Sequence, residues 1–324
     1  MMTPEEAKNL LASGRDEEIS GLDFSGLDLS DSDLSGARLS DCRFRKSLLR
    51  KADFARARLQ GCDLEQADLS EATLEETVLT DCRLAGVTAA NSLWRAASLV
   101  RVNLQGADFY NAAVQETSME AVDFTGAKFS RAYFYRIKPG ADFVDVEVDR
   151  LACLECDFSG ISLLGVKGEL VFLKQCTIAG WTAKNCELPQ FIARETDGRG
   201  ACFERCRLPF AGFGGANLMG AVFAACDLSG AFFSGANLQS CRFTDVDLEK
   251  AGCAGADFSG ALLQNANCRM ADFSHARFAH AKLEKLDLSL ANAHASTLTE
   301  SPMRDCVLEG LRRTDEARLR AEQF

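Results

Sequence analysis

The chain has 324 residues, of which 47% are hydrophobic and 26% charged, and this composition excludes an intrinsically disordered protein. The formal net charge of −11 argues against a general nucleic-acid binder, because contacts to phosphates need a basic surface. No apolar run approaches the ~20 residues that a membrane-spanning helix needs.

Residues 1–16 predict a short helical cap. Thr3 is the expected N-cap, Pro4 stands in the first turn and Glu6 completes a capping box. Ser13 and Gly14 end the predicted helix. This segment lacks the apolar stretch of a secretory signal, so we expect a cytoplasmic protein whose 14 cysteines are reduced.

From residue 17 to residue 136 an apolar residue, large everywhere but at Ala89, recurs at every fifth position. All 24 pentapeptides from Ile19 to Phe134 have an apolar centre, and the residue two places before the centre is mostly small. A period of five fits neither an amphipathic helix nor a flat strand. Units this short cannot bury their own apolar face and must stack on their neighbours. Four pentapeptides in a square coil of 20 residues are the natural closure.

The cysteines support a 20-residue coil, because eight of them recur at that interval on the small inward position. These are Cys42, Cys62 and Cys82, then Cys156 and Cys176, then Cys186, Cys206 and Cys226. We interpret them as small buried hydrophobic residues. A metal or redox column is the alternative, but no histidine joins the series and no zinc-type CxxC pair is present. We therefore expect neither a metal nor a cofactor.

Motifs such as "ADLSE", "GADFS" and "GANLM" follow the pattern A-(D/N)-(L/F)-x-x. Over residues 17–310 the chain resembles the pentapeptide-repeat protein family. The resemblance implies an all-β fold, a right-handed quadrilateral parallel β-helix (a pentapeptide-repeat solenoid) with short helical caps. At 20 residues a coil, the repeats predict about 14–15 coils.

Two interruptions divide the predicted repeat. At residues 137–142 the register breaks, since the next clear centre after Phe134 is Phe143, and we expect a bulge or kink there. A second β-helix segment spans 143–310 and contains an irregular stretch, 164–200, with small or glycine centres. Residues 194–200 are either a binding loop or tolerated slack in the repeat. Residues 311–324 predict a C-terminal helix that serves as a cap or as a dimer contact, giving a monomer or a dimer.

The outward positions carry the candidate functional residues. Tyrosine and arginine are common interface anchors, so we single out Tyr110, Tyr133, Tyr135, Arg136 and, after a proline, Phe210 as candidate protein-interaction residues. A basic ring lies between two acidic zones and comprises Arg38, Arg43, Arg45, Lys46, Arg50, Lys51, Arg56 and Arg58. Mutual support between neighbouring coils is the favoured interpretation of this ring.

Motifs for enzyme chemistry are missing from the sequence. The three histidines, His275, His280 and His294, have no recognisable metal spacing, and most aspartates precede a repeat centre. There is no P-loop, nucleophile elbow or dinucleotide fingerprint. We therefore expect a non-enzymatic protein without catalytic residues.

Three functions fit these observations. The first is a rigid scaffold or adaptor for protein partners. The opening "TPEEAKNLLASG" resembles that of pentapeptide-repeat proteins encoded with bacterial type VI secretion components, which implies an accessory role in loading spike or effector proteins. The second is a DNA mimic that binds DNA gyrase, as fluoroquinolone-resistance members of the family do. The third is a secreted bacterial effector. Direct nucleic-acid or membrane binding is not expected.

Overall fold

The computed structural model describes residues 2–15 and 17–322. It divides into two compact units, unit 1 ending at Asp157 and unit 2 beginning at Phe158. Each unit is a parallel β-helix whose strands pair with equivalents one coil further along. About 14 coils are present along the chain, as the repeat predicts.

The strands are short, and helices lie near both ends of the chain. The elements of unit 1 are α1 (Pro4–Ser13), β1 (Ile19–Ser20), β2 (Arg38–Ser40), β3 (Arg58–Gln60), β4 (Val78–Thr80), β5 (Leu93–Arg95), β6 (Ser98–Val100), β7 (Ala113–Gln115), β8 (Ser118–Glu120), β9 (Tyr133–Tyr135), β10 (Lys138–Gly140), β11 (Phe143–Val144) and β12 (Ala152–Leu154). Those of unit 2 are β13 (Ser162–Leu164), β14 (Phe172–Lys174), β15 (Thr182–Lys184), β16 (Cys202–Glu204), β17 (Val222–Ala224), β18 (Arg242–Thr244), β19 (Leu262–Gln264), β20 (Lys282–Glu284), β21 (Met303–Arg304) and α2 (Glu316–Ala321).

Each pentapeptide forms one side of the coil and one corner. The centre points inward, as Leu69 does, and the residue two places later turns the corner in a left-handed conformation, as Glu71 does with φ 60°. The aspartate before the centre stabilises the corner, because Asp68 accepts a 3.0 Å hydrogen bond from the backbone N–H of Ser70. The five-residue period is therefore the length of one side. The aspartate before the centre has a structural role at the corner.

Large side chains stack in columns inside each unit. In unit 2, Phe203, Phe223 and Phe243 lie in consecutive coils with ring centroids 4.9 Å apart and nearly parallel planes. In unit 1 a column of leucines runs through β2, β3, β4 and β6. Burial of these columns is the main stabilising term, as expected for a repeat that cannot fold alone.

The predicted break at 137–142 begins with a regular strand. β10 pairs in register with β8, and Pro139 occupies the centre position one coil after Met119. The next centre, Phe143, follows after four residues instead of five, so this side is one residue short. The pairing interval is accordingly 19 residues between Phe134 and Cys153. The sequence pattern concealed this arrangement because Pro139 does not resemble a repeat centre.

Residues 164–200 continue the coil, and residues 194–200, for which a binding loop and tolerated slack were the two alternatives, belong to ordinary sides of the square. Ile192 and Asp197 form parallel bridges to Gly212 and Asn217, both at the regular interval of 20 residues. Gly198 leaves space at a core centre, but a Cβ there would lie 2.8 Å from Cδ2 of Leu218. The neighbouring core side chain therefore fills the space that the weak repeat leaves.

The two terminal helices differ in how much they bury. In α1 the predicted capping box is confirmed, since Thr3 and Glu6 exchange backbone-to-side-chain hydrogen bonds, and Ala7 and Leu11 are fully buried. The C-terminal helix is shorter than predicted: α2 starts after its N-cap Asp315 and has no buried residue. Residues 323 and 324 of the predicted helix lie outside the described residues. Among the described residues, no helix has the length and hydropathy to cross a membrane.

Candidate protein-interaction surfaces

The basic ring of unit 1 is largely paired with acids in neighbouring coils. Arg45 lies 3.2 Å from Asp63 and 2.7 Å from Glu65, and Arg83 approaches the same two acids from the other side. The Asp63 side chain is only 5% exposed, so this four-residue network is partly desolvated. Further pairs are Arg43–Asp23, Arg50–Asp68, Lys51–Glu71 and Arg56–Glu76. These contacts agree with mutual support between coils.

Two members of the ring differ from the others. Lys46 and Arg58 make no ion pair with any described residue.

Along one outward column, Asp23, Arg43, Asp63 and Arg83 alternate in sign. This alternation prevents a continuous acidic stripe at that position of unit 1.

Three of the predicted interaction residues come together on β9 and directly after it. Tyr133 and Tyr135 flank the buried Phe134 and stack with their ring centroids 6.3 Å apart. The Arg136 guanidinium lies 4.8 Å from the centroid of Tyr135 and pairs with Glu155 at 2.7 Å. These contacts fix the three side chains, which we call the tyrosine cluster. Tyr110 is exposed, and the Arg131 guanidinium lies over its ring, 5.9 Å from the centroid.

The remaining predicted residue, Phe210, borders a groove of about 670 Å³ on the outside of unit 2. We call it the glycine groove. Its floor is made by Gly212, Gly214 and Gly215. Its walls include Leu170, Ile192, Arg194, Glu195, Phe210 and Phe232.

The groove results from a side chain that is missing in one coil. Ile192, Gly212 and Phe232 occupy the same outward position in three consecutive coils. Strands in a sheet are ~4.8 Å apart, so the absence of a side chain at Gly212 opens a slot about two strand spacings wide. A Cβ added to Gly212 would meet its nearest atom at 3.8 Å, which is ordinary contact. The backbone at Gly212 therefore does not require glycine.

Aromatic rings at the groove rest on glycines of the next coil. The ring of Phe210 lies against Gly230, where a Cβ would stand 2.6 Å from two of its carbons, and Phe232 lies against Gly252. Phe210 is nevertheless 58% exposed and Phe232 54% exposed. The rings are held by packing on one side while the other side remains open to a partner.

Sequence reasoning found Phe210 but missed the other residues of the groove. The glycine-rich stretch "GFGG" at 212–215 lies inside the repeat phase and does not stand out in the five-residue pattern. The signal that could have found it is the comparison of residues 20 apart, which places Gly212 between Ile192 and Phe232.

The cysteine columns are stacked thiols within each unit. Cys42, Cys62 and Cys82 are buried in consecutive coils, and each thiol donates to a backbone carbonyl, as Cys82 does to Leu59 at 3.4 Å. All 14 cysteines are free. Burial raises the pKa of Cys241 to about 12 and that of Cys268 to about 12. These two thiols therefore stay neutral and weakly nucleophilic, as expected of structural cysteines.

Two of the histidines meet the C-terminal segment. The Nε2 atoms of His275 and His294 lie 3.3 and 3.2 Å from the same oxygen of Glu322. These three residues have the composition of a metal site, with ligand atoms within 4.8 Å of one another. However, His294 accepts a backbone N–H from Asp315 on Nδ1, so its neutral form carries the proton on Nε2 and has no lone pair there for a metal. The geometry fits a hydrogen-bonded clasp, which the spacing of the histidines did not reveal.

Four-sided coils of parallel strands with an inward apolar centre in each pentapeptide define a pentapeptide-repeat β-helix. Family models agree with this assignment. Residues 32–109 match the model described as a pentapeptide repeat region, and residues 103–138, 216–251, 241–278 and 271–310 match the model for pentapeptide repeats in eight copies. The chain belongs to the pentapeptide-repeat family. Most of the glycine groove lies in residues 139–215, outside these matches.

Several solved structures resemble the chain. HetL, a pentapeptide repeat protein involved in heterocyst differentiation regulation from the cyanobacterium Nostoc sp., is 19% identical, with 96% of this chain and 97% of HetL covered and a TM-score of 0.27. QnrB1, a plasmid-mediated fluoroquinolone resistance protein, is 19% identical over 73% of this chain and 98% of its own, with a TM-score of 0.22. A pentapeptide repeat protein from the Arabidopsis thaliana thylakoid lumen is 27% identical over 42% and 83%, with a TM-score of 0.19. No curated protein sequence matches the chain.

Proposed function

We propose that this chain is a non-enzymatic scaffold that binds protein partners through the glycine groove of unit 2. The proposal rests on two exposed aromatic rings, Phe210 and Phe232, that lie beside a floor of glycines. At Gly212 the backbone does not require a glycine. Exposed apolar concavities on a charged surface are typical of interaction sites.

The shape of the groove favours an extended segment of a partner that presents apolar side chains. The slot is about two strand spacings wide, which suits one row of side chains. Aromatic anchors held in place lose little conformational entropy on binding, so their contact area contributes efficiently to affinity. Arg194 and Glu195 at the wall supply a polar rim of both signs.

The tyrosine cluster of unit 1 is a second candidate contact on the same scaffold. Its rings are partly exposed, and its arginine is fixed by Glu155. Within the scaffold function we further propose a cytoplasmic bacterial accessory protein for type VI secretion, which loads spike or effector proteins. The support for this step is the resemblance of the opening sequence.

The charge pattern favours a scaffold over a gyrase-binding DNA mimic. A DNA mimic needs acids in a continuous stripe, whereas acids and bases alternate along the column from Asp23 to Arg83. Inhibition of gyrase supercoiling at low concentrations of the purified chain would favour the mimic instead.

The proposal can be tested by affinity purification from bacteria that carry type VI secretion components. The double variant F210S/F232S should lose a spike or effector protein that the wild-type chain retains. The matched control M219Q/M270Q, which alters two exposed methionines outside the groove, should retain it. Equal retention by both double variants would exclude the groove as the binding site.

A further inference from the structure

A second cavity, of about 350 Å³, lies in the last coils of unit 2. Its wall is largely apolar and includes Leu263, Phe273, Phe278, Leu283, Leu288 and Met303. Pockets for small organic ligands range from about 300 to 1,000 Å³. The cavity therefore has the size and lining of a site for a small apolar molecule.

The cavity exists because a large side chain is missing at a centre position near the end of the repeat. Ala293 occupies the centre position that follows Phe273 in the next coil. Ser296 and Ser301 line the same space, and their hydroxyls donate to the backbone carbonyls of Ala293 and Thr299. With these hydroxyl protons engaged, this part of the wall is suited to an apolar group, because apolar cavities take up apolar ligands.

The segment that leads into α2 completes the wall of this cavity. Leu311, Arg313 and Thr314 line it. Beyond them α2 buries no side chain. Up to Arg312 the segment is part of the ladder, because the backbone of Arg312 donates to Ala291 and accepts from Ala293. Beyond Arg312 it is held by the clasp: Asp315 N–H donates to His294, and Glu322 contacts His275 and His294. Such polar contacts exchange readily with water, so the segment is suited to act as a lid.

The lid carries a cation that has no partner. The Arg313 side chain makes no ion pair or hydrogen bond with any other described residue, whereas Arg318 pairs with Glu322 at 2.7 Å. An unpaired guanidinium beside an apolar cavity complements a carboxylate attached to an aliphatic chain.

We propose that the end of unit 2 binds a medium-chain aliphatic carboxylate, with the chain in the cavity and the head group on Arg313. The segment from Arg313 to Glu322 closes over the ligand and is held by the histidine clasp. This site is separate from the glycine groove and does not depend on the scaffold function.

The test is calorimetric titration of the full chain with decanoate below its micellar concentration, beside decanol as a neutral probe. Decanoate should bind the wild-type chain. Ala293→Leu restores the commonest centre residue and fills the cavity, so it should weaken binding by at least about tenfold, whereas Ala224→Leu, on the outward side of β17, should not. Arg313→Gln should weaken decanoate about tenfold, the loss of one charge-assisted contact, and leave decanol unchanged.

Three results would overturn the proposal. The first is no binding of decanoate to the wild-type chain. The second is unchanged binding in the Ala293→Leu variant, or in Ala293→Val if the leucine variant does not fold. The third is an equal affinity for decanol and decanoate in the wild-type chain, which would remove the role of Arg313.

Discussion

The ring of Phe210 lies against the backbone of Gly230, one coil further along the chain. A Cβ on Gly230 would stand 2.6 Å from Cδ1 and Cε1 of that ring. The position of an exposed aromatic side chain at the groove is thus set by the absence of a side chain in the neighbouring coil. The effect of the ring's position can therefore be measured separately from the strain of a left-handed backbone.

Gly230→Ala should displace the Phe210 ring. Both Gly230 and Gly220 have left-handed φ angles, 64° and 72°, but a Cβ at Gly220 meets nothing within 4 Å. Each substitution should cost about 1 kcal/mol in the free energy of unfolding from the left-handed backbone. Only Gly230→Ala should also weaken partner binding, as measured by titration with the purified partner. Equal binding losses in the two variants would contradict this role of the ring.

Gly140→Ala should destabilise unit 1 through a steric clash. A Cβ at Gly140 would lie 2.6 Å from the carbonyl oxygen of Met119, a backbone atom that cannot rotate away. Overpacking of this kind costs about 1–3 kcal/mol. Gly214→Ala is the control, because its Cβ would find only ordinary contacts at 3.7 Å. Urea denaturation should show a loss for Gly140→Ala alone, and equal midpoints would refute the close approach.

Phe223→Ala should remove the middle ring of a stacked column. Phe223 lies between Phe203 and Phe243 at 4.9 Å and is fully buried. Loss of a buried phenylalanine costs about 3–5 kcal/mol. Phe223→Leu keeps a common repeat centre and should cost less than half as much. Thermal unfolding followed by circular dichroism measures both, and a small effect of the alanine variant would mean that the column is not continuous.

Asp257 should make the free energy of unfolding depend on pH in the acidic range. Burial acts to raise the pKa of Asp257, but hydrogen bonds from Ser259 and Gln239 and the charge of Arg277 outweigh it and lower the pKa to about 2. A carboxylate with a lowered pKa stabilises the fold above its ordinary value of 3.8, and this contribution is lost as the pH falls towards 2. Asp257→Asn should therefore cost about 2 kcal/mol at pH 7 and progressively less below pH 4.

The control for this prediction is Asp305→Asn. Asp305 is exposed, and its side chain makes no hydrogen bond or ion pair with any other described residue. Urea denaturation from pH 7 to pH 2.5 should show a converging difference for Asp257→Asn and none for Asp305→Asn. A difference for Asp257→Asn that is constant with pH would show that its charge is not the cause.

Much of the fold could be predicted because the repeat places the same residue types at fixed intervals. The capping box at Thr3 and Glu6 is local in sequence, and the thiol column from Cys42 to Cys82 follows from a coil of 20 residues. The sequence could not decide between a loop and tolerated slack at residues 194–200, because the glycine centre, Gly198, is compensated by Leu218 from the next coil. Such compensation depends on packing and not on the pattern of one pentapeptide.

The candidate sites were less predictable for the same reason. Phe210 could be identified from one position, but the glycine groove requires Ile192, Gly212 and Phe232 to be compared across three coils. The clasp between His294 and Glu322 joins residues 28 apart, an interval unrelated to the period. Features that depend on neighbouring coils or on the ends of the repeat are therefore not visible in the five-residue pattern.

The groove can be filled without disturbing the core. Gly212→Ile places at this position the residue that Ile192 already provides one coil earlier, so the variant should fold with wild-type stability or better. Ser98→Ile is the matched control, since it adds the same side chain at an outward position of β6 in unit 1.

The most direct measurement of the central claim is the affinity of the captured protein partner for these two variants, by calorimetric titration. We expect Gly212→Ile to abolish binding and Ser98→Ile to leave it unchanged. A folded Gly212→Ile variant that binds the partner as the wild-type chain does would contradict the assignment of the glycine groove as the binding site.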